Sequence, residues 1–361
     1  MKLSSQLGMG VSAALGLLGR RRPVNVMASV TDHCPSRCRY CQIPSQNRPD
    51  LPTAVWRKLI AEMAAAGTQR IGVWGGEPLT RPDIVELCAC MRELGIYVSM
   101  DSNGYLLPSR PDVLSSIDHL VLALDGPREA HDANREPGSF DKVMQAIEMA
   151  SGKVRLWTIT VITRNNIDSL GFVLEAARRY GFMATFQTLH HNDILGRNTS
   201  ELIPGDERYR EVFTELLELR RRGSPIALSG RFLRSMSRWP DFSTTRMPGK
   251  LHGVRCSAGR MYCNVDVDGL VYPCSLLIGL YPRARSALEL GFRAAFEAAS
   301  ELPCQACTAT CYTEYNFLYR LLPDVVWDWS RNVSRTDELM RSAASRSKSR
   351  REEGNASSVG A

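Results

Sequence analysis

The hydrophobic pattern of the chain alternates between two kinds of segment. Apolar runs of six to ten residues, typical of buried strands, are separated by stretches in which apolar residues recur every three or four positions. The runs that predict strands are 24–31, 70–75, 97–102, 119–124, 154–163 and 183–190. The stretches that predict helices between them include 52–66, 82–94, 139–151 and 169–180.

Six strands, each followed by a helix, predict a parallel sheet, because neighbouring parallel strands need a crossover. Right-handed crossovers curl such a sheet into a closed or a partial barrel of the TIM type. Several strands end in a polar or glycine-rich cluster: the cysteine loop, GGEP, DSNG, LDG and LHH. Since barrels of this kind carry their sites at the carboxyl ends of the strands, we expect the functional groups to gather there.

In the second half of the chain the alternation of predicted strands and helices ends. Residues 205–222 predict an amphipathic helix with a charged face. The segment VDVDGLVYP, 265–273, predicts a hairpin, since its apolar residues alternate around Asp-Gly. The pattern therefore divides the chain into an apolar and basic N-terminal segment (1–23), a barrel (24–230) and a small cysteine-rich C-terminal domain (231–330).

The net charge of +7 is located at the two ends of the chain. Residues 1–22 carry four Lys or Arg and no acid, and residues 331–361 carry seven Lys or Arg against four acids. The body between them is neutral, whereas an enzyme of nucleic acid would carry its basic surface there. No nucleic-acid partner is expected. Residues 331–361 are also rich in Ser, Arg and Glu with few large apolar groups, which predicts a disordered basic tail.

The N-terminal segment contains an apolar stretch from Leu7 to Leu18, too short to span a bilayer. Its arginines follow this stretch, whereas a signal peptide has its charge before it. Two interpretations stay open: a helix that covers the bottom of the barrel, or an interfacial helix whose arginines contact anionic lipid headgroups. We expect a cytoplasmic protein, either free or in peripheral contact with a membrane.

The eleven cysteines do not have the pattern of a disulfide framework, which belongs to small secreted domains. Their clusters favour metal binding by reduced thiolates, which again indicates the cytoplasm. Cys88 and Cys90 lie in the apolar helix IVELCACMREL, and we interpret both as packing residues.

The segment CPSRCRYC follows the first predicted strand and contains Cys34, Cys38 and Cys41. A thiolate-rich site favours iron–sulfur or zinc. Three thiolates on one loop can hold three corners of a 4Fe–4S cluster and leave the fourth iron open, which indicates catalysis. The alternative is a closed site in which His33 is the fourth ligand.

The segment Gly75-Gly76-Glu77-Pro78 ends the second predicted strand. Two glycines allow the backbone to approach a ligand closely, and Glu77 can accept a bond from an ammonium group. Taken alone, GGEP is more typical of an ordinary turn between a strand and a helix. Its position one strand–helix unit after the cysteine loop favours a functional interpretation.

These motifs resemble the radical S-adenosylmethionine (SAM) enzymes, through CPSRCRYC, GGEPL, DSNG and LALDG. The resemblance covers about 24–330 and implies a partial (β/α)6 barrel. It implies that SAM chelates the open iron and is cleaved to methionine and a 5′-deoxyadenosyl radical, which takes a hydrogen atom from the substrate. An external one-electron reductant of flavodoxin or ferredoxin type would supply the electron.

The resemblance also implies roles for single residues. Cys34, Cys38 and Cys41 would bind the cluster, and Tyr40 would lie next to the adenine. The other residues implied to bind SAM are Gly75, Gly76 and Glu77 with Pro78 in the same turn, Ser102 and Asn103 near the ribose, Asp125, and Arg135 at the carboxylate.

Two of the assignments have ordinary alternatives. Arg135 fits a carboxylate bidentately, but a loop salt bridge with Asp132 or Glu136 would use the same group. His190 and His191 follow the sixth strand, where they would orient substrate or move a proton as candidate catalytic residues. A purely structural histidine pair is the alternative.

A second group of cysteines lies beyond residue 250. Zinc knuckles on the predicted hairpin are one interpretation. The resemblance to the SPASM/twitch extension of the radical SAM enzymes implies instead one auxiliary 4Fe–4S cluster. Its ligands would be Cys256, Cys274, Cys304 and Cys307, with Cys311 or Cys263 able to substitute.

The sequence thus predicts a radical SAM enzyme with an auxiliary 4Fe–4S cluster for electron transfer or substrate positioning. The substrate is expected to be a small metabolite, a sugar or a lipid-type molecule, because only about 23 residues precede the barrel and peptide-modifying members commonly carry a leader-binding domain. The alternatives are a ribosomal-peptide maturase that uses a separate leader-binding protein, and a non-catalytic metal-binding module.

Overall fold

The computed structural model describes residues 21–190, 200–251 and 253–358, with side chains as far as Arg346. The predictions for residues 1–20 and for His191 lie outside the described residues. The strands are β1 Asn25–Thr31, β2 Arg70–Gly75, β3 Tyr97–Ser102, β4 His119–Ala123, β5 Arg155–Ile162, β6 Met183–Thr188, β7 Arg246–Met247, β8 Tyr262–Val265, β9 Leu270–Tyr272, β10 Arg285–Ser286 and β11 Ala306–Cys307.

The predicted strands of the barrel are confirmed within two residues at each end. They form parallel neighbours in the order β1-β2-β3-β4-β5-β6, the sheet of a partial (β/α)6 barrel. The helices are α1 Ile43–Gln46, α2 Thr53–Ala65, α3 Ile84–Glu93, α4 Val113–Ser116, α5 Arg128–Asn134, α6 Ser139–Ala150, α7 Leu170–Tyr180, α8 Asp206–Arg221, α9 Gly230–Met236, α10 Ala287–Leu290, α11 Phe292–Ala298, α12 Thr310–Tyr319 and α13 Pro323–Ser358.

The two faces of the sheet differ in polarity. On β3, Val98 and Met100 are completely buried in the core between the sheet and the outer helices. The intervening residues Tyr97 and Asp101 line a cavity on the inner side of the barrel. Because successive side chains of a strand point to opposite faces, each strand supplies both a packing surface and a polar inner wall.

The cysteine-rich region continues the barrel sheet. Strand β8 pairs in parallel with β1, and β9 and β10 follow as antiparallel neighbours, giving the order β10-β9-β8-β1 at this edge. The predicted hairpin is confirmed as β8–β9. The domain boundary at residue 230 remains a prediction, since backbone hydrogen bonds connect the two regions.

The inner side of the sheet is closed by α12 and α13. The hydroxyl of Thr310 donates to the carbonyl of Phe186 at 3.0 Å, which holds α12 against β6. Tyr312, Tyr315 and Tyr319 of this helix are buried. Their spacing by three and four residues places them on one helix face, a signal that was available in the sequence.

The prediction of a disordered tail from residue 331 is wrong for the part of α13 whose side chains are described. Asp337 forms an ion pair with Arg155 at 2.6 Å, and Thr336 accepts a hydrogen bond from Trp157 at 2.9 Å. Asn332 donates to the carbonyl of Ala227 at 2.6 Å. Composition predicted disorder because few large apolar residues are present, but polar groups anchor this helix.

The N-terminal arginines were assigned either to packing or to lipid contact. Of these, Arg21 lies against the C-terminal region, where it donates to the carbonyls of Gly259, Phe296 and Glu297 at 2.6 to 3.0 Å. Among the residues that the structure describes, no helix is long and apolar enough to cross a membrane.

Candidate active site and auxiliary cysteine site

The cysteine loop lies at the carboxyl ends of the barrel strands. It leaves β1 at Asp32, and Cys34, Cys38 and Cys41 are each partly exposed. The amide of Cys41 donates to the carbonyl of Cys38 at 3.1 Å, which gives the loop a tight turn. Tyr40 is buried in a small apolar cluster with Leu189, and Cys38 and Cys41 pack against this cluster. The loop therefore presents three partly exposed thiols and one buried aromatic ring.

Gly75 and Gly76 pack against the backbone of this loop. A Cβ atom on Gly75 would lie 2.3 Å from the carbonyl oxygen of Thr31, and one on Gly76 would lie 2.4 Å from that of His33. The amides of Gly76 and Glu77 donate to these same two oxygens at 2.7 Å. The glycines are therefore required for the approach of two backbone segments, and this contact fixes the start of the cysteine loop.

Glu77 is engaged by donors of the protein. Its carboxylate accepts from the hydroxyl of Ser102 at 2.9 Å and from the amides of Asn103 and Leu79 at 2.7 and 3.1 Å. The side chain is completely buried, and burial raises its pKa to about 7. Glu77, with Pro78 following, joins the ends of β2 and β3 through these bonds. That the same carboxylate also accepts a bond from the cofactor amino group stays a prediction.

The hydroxyl of Ser102 is used in the same network, because it also accepts from the amide of Gly104 at 2.9 Å. Asn103 differs, since its Nδ2 lies 3.5 Å from the sulfur of Cys34. Its Oδ1 accepts from the amide of Tyr105 at 2.9 Å, which fixes the orientation of the side chain. Of the two predicted ribose contacts, Asn103 is the one that faces the cysteine loop.

Arg135 forms a buried ion pair with Asp125, and neither Asp132 nor Glu136 is its partner. Nε of Arg135 lies 2.8 Å from the Asp125 carboxylate, which also accepts from the Tyr40 hydroxyl at 2.8 Å. Nη2 of Arg135 donates to the Tyr40 oxygen at 2.7 Å, and Nη1 lies 3.5 Å from the sulfur of Cys38. Both predicted SAM contacts are thus already partners of each other.

The donor set at this loop fits a cluster held by three thiolates. Burial raises the pKa of Cys34 to about 12, so its thiolate needs a bound cation, and metal binding would release the proton. N–H groups of Asn103 and Arg135 stand beside two of the sulfurs, as expected for a negatively charged cluster. The imidazole of His33 is exposed. Among the described residues, no group of three His, Cys, Asp or Glu side chains is arranged to hold a single metal ion.

A cavity of about 310 Å³ occupies the inside of the barrel. Its wall includes three tryptophans and four tyrosines, and the polar groups that reach it include Arg70, Asp101, His119 and His190. His190 is buried at the end of β6, so the structure brings this predicted residue to the cavity. His191 lies outside the described residues. Arg70 and the tyrosines of α12 were not predicted as functional.

Four cysteines of the C-terminal region line one enclosed space. They are Cys256, Cys274, Cys304 and Cys307, the predicted set, and apolar side chains including Leu276 and Leu302 complete its wall. Burial raises the pKa of Cys304 to about 11, and the pKa of Cys274 and Cys307 is raised further. Four thiols that line one apolar space are a donor set that fits a 4Fe–4S cluster.

Cys263 and Cys311, the two cysteines predicted as possible substitute ligands, do not line this space. Cys263 lies on β8 in the main hydrophobic core, and burial raises its pKa. Cys311 lines the barrel cavity near Asp101 and Arg70, and burial raises its pKa to about 12. Its accessible surface therefore faces the cavity, and the ligand set is expected to contain neither cysteine. Cys88 is buried in the core and Cys90 packs against it, as predicted.

Arg48 connects the cysteine loop with the C-terminal hairpin. Its Nε and Nη2 lie 2.7 and 3.0 Å from the carboxylate of Asp32, and its Nη1 lies 2.6 Å from that of Asp266. Both aspartates are almost completely buried. This contact could not be predicted from a local pattern, because Arg48 and Asp266 are 218 residues apart.

Comparison with known proteins agrees with this geometry. The profile of the family described as the Radical SAM superfamily matches residues 28–177. The chain is 31% identical over 265 residues to the PqqA peptide cyclase of Ruegeria pomeroyi, covering 70% of this chain and 67% of that protein. It is 28% identical over 269 residues to the mycofactocin maturase MftC of Mycolicibacterium smegmatis, covering 72% and 66%. The chain spans about two thirds of the length of these relatives.

The fold is shared with solved structures of lower identity. Streptococcus suis SuiB bound to S-adenosylmethionine superposes with a TM-score of 0.63 at 14% identity, covering 81% of this chain and 69% of SuiB. A further SuiB structure contains the precursor peptide SuiA. The protein anSMEcpe with bound AdoMet has a TM-score of 0.60 at 17% identity, covering 84% and 98%.

The prediction of a small metabolite, sugar or lipid-type substrate is wrong. The similar proteins include a peptide cyclase and a maturase, and a structural neighbour was solved with a precursor peptide. The expectation rested on the short segment before the barrel, which is weak evidence about the substrate. The findings favour the alternative of a peptide maturase.

Proposed function

This chain belongs to the radical SAM superfamily, and we propose that it modifies a peptide substrate. The observation that carries the proposal is the similarity to the PqqA peptide cyclase at 31% identity over most of the chain. The superfamily uses a 4Fe–4S cluster and SAM. When bound, these cofactors supply a 5′-deoxyadenosyl radical that can take a hydrogen atom from an unactivated carbon.

In this proposal the residues at the carboxyl ends of the strands hold the cofactors. Cys34, Cys38 and Cys41 would ligate the cluster, and Asn103 and Arg135 would donate hydrogen bonds toward two of its sulfurs. The buried ring of Tyr40 would form one wall beside the cofactor. These groups bind and orient, which is the usual contribution of a protein to cofactor chemistry.

Residues inside the barrel would hold the peptide. The aromatic side chains of the cavity, which include Trp74, Trp157 and Tyr312, would contact the apolar part of the peptide. His190 would orient the peptide at the end of β6. Cys256, Cys274, Cys304 and Cys307 would hold an auxiliary 4Fe–4S cluster, whose chemistry there is one-electron transfer. Such a protein needs reduced thiols and an external reductant, as in the cytoplasm.

The test is peptide-dependent turnover. The protein is reconstituted anaerobically with iron and sulfide, reduced with dithionite, and incubated with SAM and short peptides encoded beside its gene. We expect a covalent mass change of one peptide, together with 5′-deoxyadenosine formation that the peptide stimulates. The change should disappear when Cys34, Cys38 and Cys41 are replaced by Ala, and should persist in Cys90→Ala. Full cluster loading without any 5′-deoxyadenosine would favour the non-catalytic module instead.

A further inference from the structure

The guanidinium of Arg70 is held inside the barrel by neutral groups. Nη1 donates to Oδ1 of Asn25 at 2.7 Å and to the hydroxyl of Tyr315 at 2.8 Å, and Nη2 donates to the hydroxyl of Ser99 at 2.6 Å. These bonds use three of the five N–H groups of an arginine. The other two have no partner among the residues that the structure describes, and Arg70 lines the cavity.

No carboxylate lies within ion-pair distance of Arg70 in the described part of the chain. Arg155 lines the same cavity and provides the contrast, because Asp337 binds it bidentately at 2.6 and 3.1 Å. Asp101 is near enough for Arg70 to lower its pKa, but burial has the larger effect and raises that pKa to about 6. Arg70 is partly buried, and Asp101 lies beyond ion-pair distance, so the guanidinium makes no direct bond to a carboxylate of the described residues. A partly buried cation without such a bond favours an anion at this end of the cavity.

His119 is a second polar group of the same cavity wall that lacks a hydrogen-bond partner. It is 9% exposed, and its Nε2 has no hydrogen-bond partner among the residues that the structure describes. Burial and the charge of Arg70 lower its pKa to about 3, so the ring is neutral. With its proton on Nε2, a neutral imidazole can donate one hydrogen bond to an acceptor without adding charge. The cavity wall thus contains a guanidinium and an imidazole whose hydrogen-bonding capacity is not fully used by the described residues.

The distance from Arg70 to the ends of the strands, where the cysteine loop lies, can be estimated along β3. Its guanidinium lies at the level of Ser99, three residues before the end of β3 at Ser102. Three residues of a strand span about 10 Å. An extended peptide of about three residues covers the same length, so one peptide can reach from the ends of the strands to Arg70.

We propose that Arg70, with His119 beside it, binds a carboxylate of the peptide substrate. This rests on the proposed peptide-modifying function. The carboxylate belongs either to an acidic side chain or to the C-terminus of the peptide, and lies within about three residues of the modified position. The aromatic walls on either side contact the apolar part of the same segment.

Cys311 is a built-in reporter for this site, because it lines the cavity close to Arg70. In the reconstituted holoenzyme, Cys311 is alkylated with iodoacetate, which carries a carboxylate, or with the neutral iodoacetamide, and both rates are divided by those of N-acetylcysteine. We expect a preference of about tenfold for iodoacetate, since a charge-assisted hydrogen bond has roughly this effect. Mass spectrometry of the peptide that contains Cys311 measures it.

Two variants separate the carboxylate site from general charge. Arg70→Gln should abolish the preference for iodoacetate. Arg155→Gln removes the same charge from the same cavity, but its guanidinium is already bound to Asp337, so the preference should persist. If Arg70→Gln fails to fold, competition in the wild-type protein decides: acetate should slow alkylation by iodoacetamide, whereas acetamide should not.

Two small probes distinguish a C-terminal carboxylate from the carboxylate of an acidic side chain. N-acetylglutamine has a C-terminal carboxylate and a neutral side chain, whereas N-acetylglutamate α-amide has only the side-chain carboxylate. The probe that protects Cys311 at the lower concentration identifies the source.

Equal normalised rates for the two reagents, a preference that survives in Arg70→Gln, or exclusion of both reagents from Cys311 would each overturn the carboxylate site. None of these measurements uses peptide turnover. A failed turnover assay with a positive labelling result would therefore reject the proposed function and leave the anion site standing.

Discussion

Nε of Arg135 lies 2.8 Å from the carboxylate of Asp125, and both side chains are almost completely buried. The contact joins the end of β4 to the helix α5 that follows it. It also fixes Tyr40, which bonds to both residues. The network therefore links the cysteine loop to the middle of the barrel sheet.

Arg135→Gln should strongly destabilise the protein, because it leaves the Asp125 carboxylate buried without its cation. Removing one partner of a buried ion pair costs about 3 kcal/mol or more. Denaturant unfolding of the metal-free protein measures the loss. Arg128→Gln is the matched control, since the Arg128–Asp141 pair is exposed, is screened by solvent and should contribute little to stability. Equal effects of the two substitutions would contradict the role of the buried pair.

Gly76→Ala should weaken the cysteine loop. The added Cβ would meet the carbonyl oxygens of His33 and Asp32 at 2.4 and 2.5 Å, and these are backbone atoms that cannot rotate away. We expect a loss of about 2 kcal/mol from overpacking, together with incomplete iron loading of this site. Gly171→Ala, on α7, has no atom within 4 Å of its added Cβ and should keep full loading. Wild-type iron content in Gly76→Ala would refute the close approach.

Iron analysis should separate the C-terminal cysteines into ligands and non-ligands. Two 4Fe–4S clusters correspond to about eight irons per chain, and Cys304→Ala should reduce this toward about four. Cys311→Ala should retain the wild-type value, because its side chain faces the barrel cavity. If Cys311→Ala lost iron and Cys304→Ala retained it, Cys311 would be the cluster ligand and Cys304 would not. Electron paramagnetic resonance of the reduced protein gives an independent count of the clusters.

The stability of the fold should fall in mild acid because of His131. Its pKa is lowered from 6.5 to about 4, first by burial and then by the charge of Arg135, and its Nδ1 accepts from the amide of Asp125 at 3.0 Å. Below pH 6.5 the unfolded chain binds a proton that the folded chain does not. Stability present at pH 7 is therefore lost as the pH falls, by about 1.4 kcal/mol per unit and about 2 kcal/mol at pH 5.

His131→Asn is the control for this titration, because the Asn oxygen can accept the same amide and does not titrate. The difference in unfolding free energy between wild type and variant should change by about 2 kcal/mol between pH 7 and pH 5. Parallel pH profiles of the two proteins would show that another group is responsible.

The sequence was sufficient for the barrel, because the apolar period is a local property of each strand and helix. The four-cysteine site could also be predicted, since the resemblance supplied its spacing. The partners of Glu77 and Arg135 inside the protein could not be predicted. The resemblance assigned both residues to the cofactor, and the structure adds that Ser102 and Asp125, 25 and 10 positions away, also bind them. Such contacts depend on tertiary packing, which no local pattern contains.

The prediction of disorder in the region of α13 was wrong because its contacts also depend on tertiary packing. Its polar anchors Asn332, Thr336 and Asp337 look solvent-exposed in the sequence, because the groups they bind lie over 100 residues earlier. The inward orientation of Arg70 could not be predicted either, since a basic residue at the start of a strand is ordinarily exposed.

The parallel pairing of β8 with β1 has a consequence for how the chain is made on the ribosome. Strand β1 is synthesised first, yet its second neighbour, Tyr262–Val265, emerges only after more than 200 further residues. Until then one edge of the oldest strand has open backbone donors and acceptors, which can pair with another nascent chain. Protection of that edge by a chaperone, or slow growth at low temperature, should therefore govern the yield of properly folded protein.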